Sequence, residues 1–390
     1  MTAFRRVRCA LGLALSLCLP MALPLQAQPA PAAASAELPA LPGVEAFRLK
    51  SPSLSAFWKK DVLLEAGVVR PLDWKAGERL PVAYNVHGFG GSHRVAWRQG
   101  PRLQAQMAEG RIPRMLYVFL NAQFEWGHHV FADSKANGPW GTALVTELIP
   151  ALERACGAVG EPTARFLTGH SSGGWSTLWL QVTHPDFFGG CWSTAPDSVD
   201  FRDFTGIDIY TQKNAYTGAD GKPVMLMRKD GAFVRSIREF VALEREKQPV
   251  GGQFFSFNAV FGERGADGLP KPLFDWETGA IDPAVARSWE PYDLRLVLTR
   301  NWKTLGPKLA GKVHIYMGGQ DTFRLEGALK LLKADLERLG SDAQILLVEG
   351  RDHRTLVAPH PELWPTGMMD RIHREMGEAF ARSHRKDKAA

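Results

Sequence analysis

Cysteine is scarce in this sequence, and its scarcity excludes a zinc site built on thiolates. Only four cysteines occur among the 390 residues, and two of them lie before residue 20. Neither Cys156 nor Cys191 has a histidine nearby at the spacing of metal ligands, so no zinc site is predicted. Pairing of these two thiols in an oxidising compartment and two buried free thiols are equal alternatives.

A long apolar run and a large excess of one charge are also missing. The apolar stretch ALGLALSLCLPMALPL is broken by Pro20 and is short for a membrane-spanning helix, which needs about 20 residues. The formal net charge of +6 falls to +3 once Arg5, Arg6 and Arg8 are removed, and part of the remainder lies in the tail RSHRKDKAA. Neither nucleic acid nor an anionic membrane is therefore implied as a partner.

The N-terminus has the pattern of a secretory signal peptide. A basic start precedes the short apolar stretch, and small residues follow it. We predict a signal peptide over residues 1–27, with cleavage after Ala27 or as late as Ala36, and hence a periplasmic or secreted protein. Residues 28–45 are rich in proline and alanine and are predicted to be a disordered leader. An uncleaved membrane anchor is the alternative.

Beyond residue 45, short apolar segments alternate with amphipathic ones. RLPVAYNVHG, RMLYVFLNA and ARFLTGH have the composition of strands, and GGWSTLWLQVTHP has that of a helix. This alternation predicts an α/β fold with a mostly parallel central sheet and helices on both faces. We assign residues 46–200 and 303–384 to this core and residues 385–390 to a basic tail.

The stretch 201–302 interrupts the alternation and is predicted to be a cap-like insertion. It is irregular, rich in glycine and proline, and holds 15 aromatic residues. Because it falls between two predicted strands, it would lie over the edge of the sheet as a substrate cap. Trp276, Trp289 and Phe274 are candidates for a substrate pocket, and the alternative is that they form a small core of the insertion itself.

The segment FLTGHSSGGWSTLWL carries the strongest chemical signal. A Gly-x-Ser-x-Gly pattern runs from Gly169 to Gly173, after a strand and before a helix, which is the context of a nucleophile elbow. The sharp turn needs small residues two positions before and after the nucleophile, and only Ser171 has glycine at both. We therefore predict Ser171 as the nucleophile and the backbone N–H of Ser172 as an oxyanion donor.

A second oxyanion donor is expected from the glycine-rich loop in YNVHGFGGSH. Glycine tolerates positive φ, which lets this loop turn tightly and expose its N–H groups. Phe89 is the predicted donor, Gly88 is the alternative, and His87 is expected to brace the loop. No Gly-Lys-Ser/Thr follows, and the spacing of a dinucleotide fingerprint is absent, so no phosphate-bearing cofactor is predicted.

A serine nucleophile needs a base held by an acid, in the expected chain order Ser, Asp, His. Asp321 follows a predicted strand in YMGGQDTF, and His353 follows the next strand in VEGRDHRT. Parallel strands end at one edge of the sheet, where open α/β folds bind ligands. The alternatives are Asp197 for the acid and His360 for the base. This chemistry needs neither a metal nor an organic cofactor.

Four motifs resemble those of the putative-esterase (esterase D-like) family of α/β-hydrolases. They are VHGFGGSH, GHSSGGWSTLWLQVTHPDFFGG, MGGQDTF and EGRDH. The resemblance covers roughly residues 62–194 and 313–380, and it implies an α/β-hydrolase fold for the core. The region 201–302 lies outside it and would set specificity.

The same resemblance implies roles for individual residues. Ser171, Asp321 and His353 would be the catalytic triad. The segment ADSKANGPWGTALVTELIP is similar to a helix region of the family, which would place Asn137 and Trp140 near the mouth of the site.

The sequence therefore predicts a serine carboxylic-ester hydrolase that works through an acyl-enzyme. Its substrate would be a small-molecule or glycan-linked ester. An acyltransferase with the same triad and a non-catalytic secreted binding protein on the same fold are the alternatives. The sequence leaves the oligomeric state open.

Overall fold

The structure, a computed structural model, describes residues 38–387. The predicted signal peptide, 1–27, and the first ten residues of the predicted leader lie outside the described residues. None of the helices between residues 38 and 387 has both the length and the hydropathy that a bilayer-spanning segment needs.

An eight-stranded sheet forms the centre of the described chain. Its strands are β1 (Val44–Lys50), β2 (Leu63–Val69), β3 (Val82–Val86), β4 (Leu116–Leu120), β5 (Arg165–His170), β6 (Gly190–Thr194), β7 (Val313–Gly318) and β8 (Gln344–Val348). Across the sheet they are ordered β1-β2-β4-β3-β5-β6-β7-β8. β2 runs antiparallel to both of its neighbours, and every pair from β4 to β8 is parallel. The predicted mostly parallel sheet is confirmed.

Helices cover both faces of this sheet. The α-helices of the described residues are α1 (Pro52–Trp58), α2 (Val95–Ala108), α3 (Trp140–Ala143), α4 (Ile149–Cys156), α5 (Ser172–Thr183), α6 (Ile237–Lys247), α7 (Gln253–Phe261), α8 (Pro283–Ser288), α9 (Leu294–Leu309), α10 (Leu325–Arg338) and α11 (Met368–Asp387). Of these, α6, α7 and α8 belong to the inserted cap and not to the layers on the sheet. A π-helical turn, Leu144–Leu148, joins α3 to α4. Because of this double cover, all five residues of β4, LYVFL, are buried, as is usual for parallel strands.

Two neighbouring residues of β6 show which helices lie on opposite faces. The indole N–H of Trp192 donates to Glu375 of α11, whereas the hydroxyl of Ser193 donates to the carbonyl of Gly174 in α5. Successive strand residues point to opposite faces, so α5 and α11 lie on different sides of the sheet. The predicted three-layer arrangement is therefore confirmed.

The insertion between β6 and α9 forms a cap with an aromatic core of its own. It holds α6, α7, α8 and a hairpin of two strands, Met225–Lys229 and Ala232–Ser236. Trp289 is fully buried and contacts the rings of Phe201, Phe204 and Phe261. Much of the aromatic content of the insertion therefore stabilises the cap itself.

Three predicted boundaries differ from the structure. Strand β1 begins at Val44, inside the predicted leader 28–45, because Val44 pairs with Val69 and is buried. Helix α9 begins at Leu294, before the predicted restart of the core at residue 303, because it packs on α5 and α10. Helix α11 continues to Asp387 and so includes part of the predicted tail 385–390.

Candidate active site

The turn between β5 and α5 is a strained elbow centred on Ser171. The backbone of Ser171 has φ 60° and ψ −126°, a conformation that non-glycine residues adopt only when the surroundings impose it. Its amide N–H donates to the carbonyl of Thr194 at 3.0 Å, and its carbonyl accepts the N–H of Trp175 at 3.0 Å. These bonds hold the serine at the carboxyl edge of the sheet, as a nucleophile elbow requires.

The glycines on either side of Ser171 are sterically required. A Cβ atom on Gly169 would overlap the carbonyl oxygen of Gly173, and one on Gly173 would overlap the carbonyl oxygens of Val86 and His87. The first turn of α5 thus packs directly against the backbone at the end of β3. This close approach explains the Gly-x-Ser-x-Gly spacing without reference to catalysis.

The glycine-rich loop after β3 lies against the nucleophile. A Cβ on Gly88 would lie 3.3 Å from Cβ of Ser171. The prediction that His87 braces this loop is confirmed: its Nδ1–H donates to the Gly88 carbonyl at 2.7 Å, and its Nε2 accepts the N–H of Ala122 at 2.9 Å. Burial lowers the pKa of His87, which keeps this imidazole neutral.

Two backbone N–H groups remain available beside Ser171. Between residues 38 and 387, neither the Phe89 nor the Ser172 amide donates a hydrogen bond to a protein acceptor. Ser172 is the first residue of α5, where the partial positive charge of the helix end adds to the attraction for an anion. Both amides therefore have the free donor that an oxyanion hole needs.

The predicted base and acid meet at the same edge. Nδ1 of His353 donates to Oδ2 of Asp321 at 2.7 Å. Asp321 is fully buried, and its Oδ1 accepts the N–H of Phe323 at 2.8 Å, which fixes the carboxylate. Because Nδ1 carries the proton, Nε2 of His353 is left as the acceptor that a general base requires.

The environment of His353 stabilises its protonated form. Burial lowers the pKa of this imidazole, but the charge of Asp321, the hydrogen bond to Asp321 and the charges of Asp197 and Asp352 outweigh burial and raise it above 6.5. His353 is thereby prepared to take a proton from a neighbouring hydroxyl.

In the structure, the hydroxyl of Ser171 is hydrogen-bonded to Asp197 and not to His353. Its Oγ lies 3.4 Å from Oδ1 of Asp197, while Ser171 and His353 line one common cavity. Hydrogen bonds between a nucleophile and its base are often long or poorly aligned in unliganded enzymes and tighten when substrate binds.

Asp197, considered above as an alternative acid, lies past the strand after the elbow, but its hydrogen-bond partners are the two serines and not His353. It follows β6, is 7% exposed, and its Oδ2 accepts the hydroxyl of Ser172 at 2.6 Å. The amide of Gln253, from the cap, lies 3.4 Å from the same oxygen. Burial raises the pKa of Asp197 to about 6. The carboxyl thus contacts the two serines, while Nδ1 of His353 is bonded to Asp321.

The alternative base, His360, lies outside the cavity. Its Nδ1 accepts two backbone N–H groups of the following turn. A closer imidazole is His170, whose ring centroid lies 4.6 Å from that of His353. Burial lowers the pKa of His170 to about 3, and its Nδ1 is 3.0 Å from Oγ1 of Thr194, so it stays neutral beside the base.

A cavity of about 400 Å³ opens over Ser171 between the sheet edge and the cap. Its apolar wall is formed by Leu226, Met227, Phe240, Phe254, Phe257 and Leu325. The polar groups of its lining include Ser171, His353, Asp197, Gln253 and Arg235. An apolar chamber with a few polar groups at one end is suited to a small organic ligand.

The predicted pocket residues Asn137 and Trp140 are wrong, because neither lines this cavity. Trp140 is buried with its ring stacked on His129 at 3.8 Å between centroids, and its indole N–H donates to the Asn137 carbonyl at 2.7 Å. The same carbonyl accepts the indole N–H of Trp58 at 3.2 Å. The aromatic residues here hold α1 and α3 together.

Trp276 and Trp289 do not line the cavity either, so that prediction is also corrected. Trp289 lies in the aromatic core of the cap, and Trp276 packs edge-on against Phe274 at 5.3 Å. The cap instead turns phenylalanines, a glutamine and an arginine toward Ser171. The high aromatic content of the insertion was the available signal, but it did not tell which rings face inward.

The described residues provide neither a metal site nor a disulfide. Residues 38–385 contain no group of three or more His, Cys, Asp or Glu side chains placed to hold a metal ion. Cys156 and Cys191 are both buried and unpaired, which settles the open alternative in favour of two thiols.

Part of the chain matches a known protein family. The family model described as "Putative esterase" matches residues 64–254. No curated protein matches the chain. The chain is similar to a solved ferulic acid esterase, at 14% identity and TM-score 0.53, with 86% of this chain and 98% of that chain covered.

Two other solved structures are similar to the chain over most of its length. An S-formylglutathione hydrolase from Agrobacterium tumefaciens is 16% identical, with TM-score 0.50 and 88% and 98% coverage of this chain and that chain. The fluorophosphonate-binding serine hydrolase F of Staphylococcus aureus, solved with substrate bound, is 13% identical, with TM-score 0.50 and 86% and 98% coverage. At these identities the similarity shows an α/β-hydrolase fold.

Proposed function

We propose that this chain, whose residues 64–254 match the putative esterase family, is a serine esterase that cleaves carboxylic esters through an acyl-enzyme on Ser171. One observation carries the proposal. The strained Ser171 and His353, which is bonded to Asp321 and lies 182 positions later in the chain, line one cavity.

The first half of the proposed reaction acylates the serine. Nε2 of His353 takes the Ser171 proton while Oγ attacks the ester carbonyl carbon, and the carbonyl π electrons move to oxygen. The amides of Phe89 and Ser172 donate to the resulting oxyanion. The C–O bond to the alcohol then breaks, and the leaving oxygen takes the proton from His353.

The second half releases the acid. Water enters, gives a proton to Nε2 of His353 and attacks the acyl carbon, and the second tetrahedral intermediate uses the same two amides. Its collapse breaks the bond to Ser171 Oγ, which recovers the proton from His353. Asp321 holds the imidazole in the required tautomer in both halves.

The cavity supports a small-molecule ester, including one linked to a glycan, as the substrate. Its apolar wall, near Phe254 and Phe257, would receive an aliphatic or aromatic acyl group, and its opening would leave the alcohol part toward solvent. Similar solved structures are named for ferulic acid and S-formylglutathione hydrolysis, which makes feruloyl and thiol esters the first substrates to test.

The test is hydrolysis of a p-nitrophenyl ester series together with labelling by a fluorophosphonate. We expect wild type to turn over short-chain esters and to be labelled, and Ser171→Ala to lose both. His353→Ala is expected to lower kcat/KM by about 10⁴-fold or more with little change in folding. Full activity of either variant would refute the assignment.

A nearby serine provides the matched control. Ser176 lies one helical turn beyond the elbow, and its hydroxyl donates to the Ser172 carbonyl. Ser176→Ala should keep both labelling and turnover. Adding an alcohol acceptor to the assay separates hydrolysis from acyl transfer, because an acyltransferase would form the new ester faster than the free acid.

We also propose that the protein is exported to the periplasm or beyond the cell. The basic start, the short apolar stretch and the small residues that follow it support this proposal. N-terminal sequencing of protein recovered from the extracytoplasmic fraction should give a first residue at 28, or as late as 37. An intact N-terminus in the cytoplasmic fraction would contradict export.

A further inference from the structure

Asp197 is a buried carboxyl without a cationic partner. It is 7% exposed, and its hydrogen bonds come from neutral groups, namely the hydroxyls of Ser171 and Ser172 and the amide of Gln253. Within residues 38–385, no Lys, Arg or His nitrogen lies within the 4.0 Å of an ion pair with this carboxyl. Buried carboxylates are costly unless a positive charge offsets them.

Two other buried acids in residues 38–385 have such a partner. Asp200, three residues further on, is fully buried and forms an ion pair with Arg202. Glu153, 6% exposed, forms a two-bond pair with Arg165 at 2.8 and 2.9 Å. Asp293 is also fully buried without an ion pair in this part of the chain, but it accepts the Tyr210 hydroxyl and lies outside the cavity, whereas Asp197 lines it.

Asp197 also lies where an acyl group would be held. Its Oδ1 is 3.4 Å from Oγ of Ser171, the atom that bonds to the acyl carbon. A substituent on the carbon next to that carbonyl is three bonds from Oγ, which brings it within hydrogen-bond reach of the carboxyl. Asp197 belongs to the cavity lining, so the approach is open.

Few other charges face this position. Arg235 lines the cavity from the cap and His353 lines it from the sheet edge, with Asp321 behind His353. The lining also holds neutral polar groups, Thr205, Gln253 and the buried His170, whose pKa is lowered to about 3, and apolar side chains that include Phe254 and Phe257. In such surroundings a carboxylate attracts a cation more strongly than it would in water.

From this geometry we propose that Asp197 is a cation subsite, and that the preferred substrates are esters whose acyl group carries a protonated amine next to the carbonyl and an apolar side chain. The proposal rests on the esterase function proposed above. The ammonium group would pair with the Asp197 carboxylate, and the side chain would enter the apolar wall around Phe240 and Phe254.

The ammonium group has a second effect, on the chemistry itself. A carboxylate 3.4 Å from Oγ of Ser171 opposes the negative charge that develops on the substrate during attack. A positive charge on the neighbouring carbon offsets that repulsion. Burial raises the pKa of Asp197 to about 6, so the carboxyl is largely ionised at pH 7, where α-ammonium groups still retain most of their charge.

The experiment compares two ethyl esters that differ only in the amine, L-phenylalanine ethyl ester and ethyl 3-phenylpropanoate. The quantity measured is the ratio of their kcat/KM values at pH 7, in wild type and in Asp197→Asn. Comparing the two proteins cancels the intrinsic reactivity of the esters. We expect the ratio to fall by at least about tenfold in Asp197→Asn, chiefly through loss on the amine ester.

A nearby carboxyl serves as the control. Asp203 is half-buried in the same segment, accepts the N–H of Gly206 at 2.7 Å and does not line the cavity. Asp203→Asn should keep the wild-type ratio. If Asp197→Asn slows both esters equally, Asp197 only positions the serines, and the cation subsite is refuted.

Two further readouts keep the proposal testable. Phenethylamine should inhibit wild-type hydrolysis of p-nitrophenyl acetate at least about tenfold better than its neutral isostere propylbenzene, and equal inhibition would refute the subsite even if Asp197→Asn does not fold. If wild type and Asp197→Asn give the same ratio of kcat/KM values for the two ethyl esters, the cation subsite is refuted but the esterase function is not. Absence of fluorophosphonate labelling at Ser171 refutes the esterase function and the subsite with it.

Discussion

At the scale of single residues, the main feature of the site is the number of carboxylates around one imidazole. His353 donates to Asp321 and also feels the charges of Asp197 and Asp352. His170, the neighbouring imidazole, is kept neutral by burial. The balance of these charges sets the pH at which His353 is free to act as a base.

The first prediction concerns this pH dependence. The proposed mechanism needs neutral His353, and the raised pKa of this imidazole means that it is protonated at a higher pH than an ordinary histidine. We expect kcat/KM for a neutral ester to decrease with falling pH, and to do so at a higher pH than for an unperturbed imidazole. Asp321→Asn removes the charge that contributes most to raising the pKa of His353. We expect the activity of this variant to be lower by about 10³- to 10⁴-fold. The acidic limb of its pH profile should lie at lower pH than in wild type.

The measurement is kcat/KM for p-nitrophenyl acetate from pH 5 to 9 in both proteins. An unmoved acidic limb in Asp321→Asn would show that another group titrates. Near-wild-type rates in that variant would show that a carboxyl other than Asp321 serves as the acid of the triad.

At the scale of elements, the elbow is held by backbone contacts that leave no space for a side chain. Gly173, in the first turn of α5, touches the carbonyl oxygens at the end of β3. The glycine-rich loop after β3 begins at that same strand end. Any added atom at Gly173 therefore separates the nucleophile from the loop that carries Phe89.

The second prediction follows from this contact. Gly173→Ala places a methyl group against the Val86 carbonyl, and we expect it to lower the free energy of unfolding by about 1–3 kcal/mol and to abolish most activity. Gly110→Ala is the control, because a methyl group there meets no atom within 4 Å and costs only the strain of φ 70°, about 1 kcal/mol. Urea unfolding of both variants tests the difference.

The cap contributes the wall of the cavity rather than any reacting group. Phe240, in α6, is half-buried and lines the cavity, whereas Phe233, in the cap hairpin, is exposed and lies outside the lining. These two phenylalanines form a natural pair for testing which part of the cap contacts the acyl group.

The third prediction uses this pair. Phe240→Ala removes apolar surface worth about 1–2 kcal/mol to a bound aromatic acyl group, so kcat/KM for such esters should fall roughly five- to thirtyfold. The acetyl ester, which is too short to reach that wall, should be affected much less. Phe233→Ala should change neither. A uniform loss across chain lengths in Phe240→Ala would contradict the assignment of the acyl pocket.

Features that depend on residues close together in the chain could be predicted from the sequence, whereas features that depend on contacts between distant residues could not. The strands of the core and the elbow glycines were predictable because hydrophobic periodicity and the Gly-x-Ser-x-Gly spacing are local. The inward-facing residues of the cap were not, because they are selected by contacts such as Gln253 with Asp197, which lie 56 residues apart. Trp289 was misassigned for the same reason, since its aromatic partners Phe201 and Phe204 are more than 80 positions earlier.

At the scale of the whole molecule, both thiols of the described chain lie inside the core. Cys156 ends α4 and Cys191 lies in β6, and burial raises the pKa of each, to about 12 for Cys191. Thiols in such surroundings are poor nucleophiles, because reactivity belongs to the thiolate.

The fourth prediction is that the native protein is indifferent to reductant and to thiol reagents. Esterase activity should be the same with and without dithiothreitol, and a colorimetric thiol titration of the mature protein should find two groups only after denaturation. An intact mass two hydrogens lighter than the reduced chain would contradict this, because it would reveal a disulfide.

The insertion of the cap between β6 and β7 has a consequence for the protein's biosynthesis. A chain leaving the ribosome carries Ser171 long before His353, since the cap and the three strands β6, β7 and β8 must be made in between. A polypeptide that ends before residue 353 thus lacks the base of the proposed triad. We expect such a chain to have no esterase activity, even where the strand and helix around Ser171 have formed.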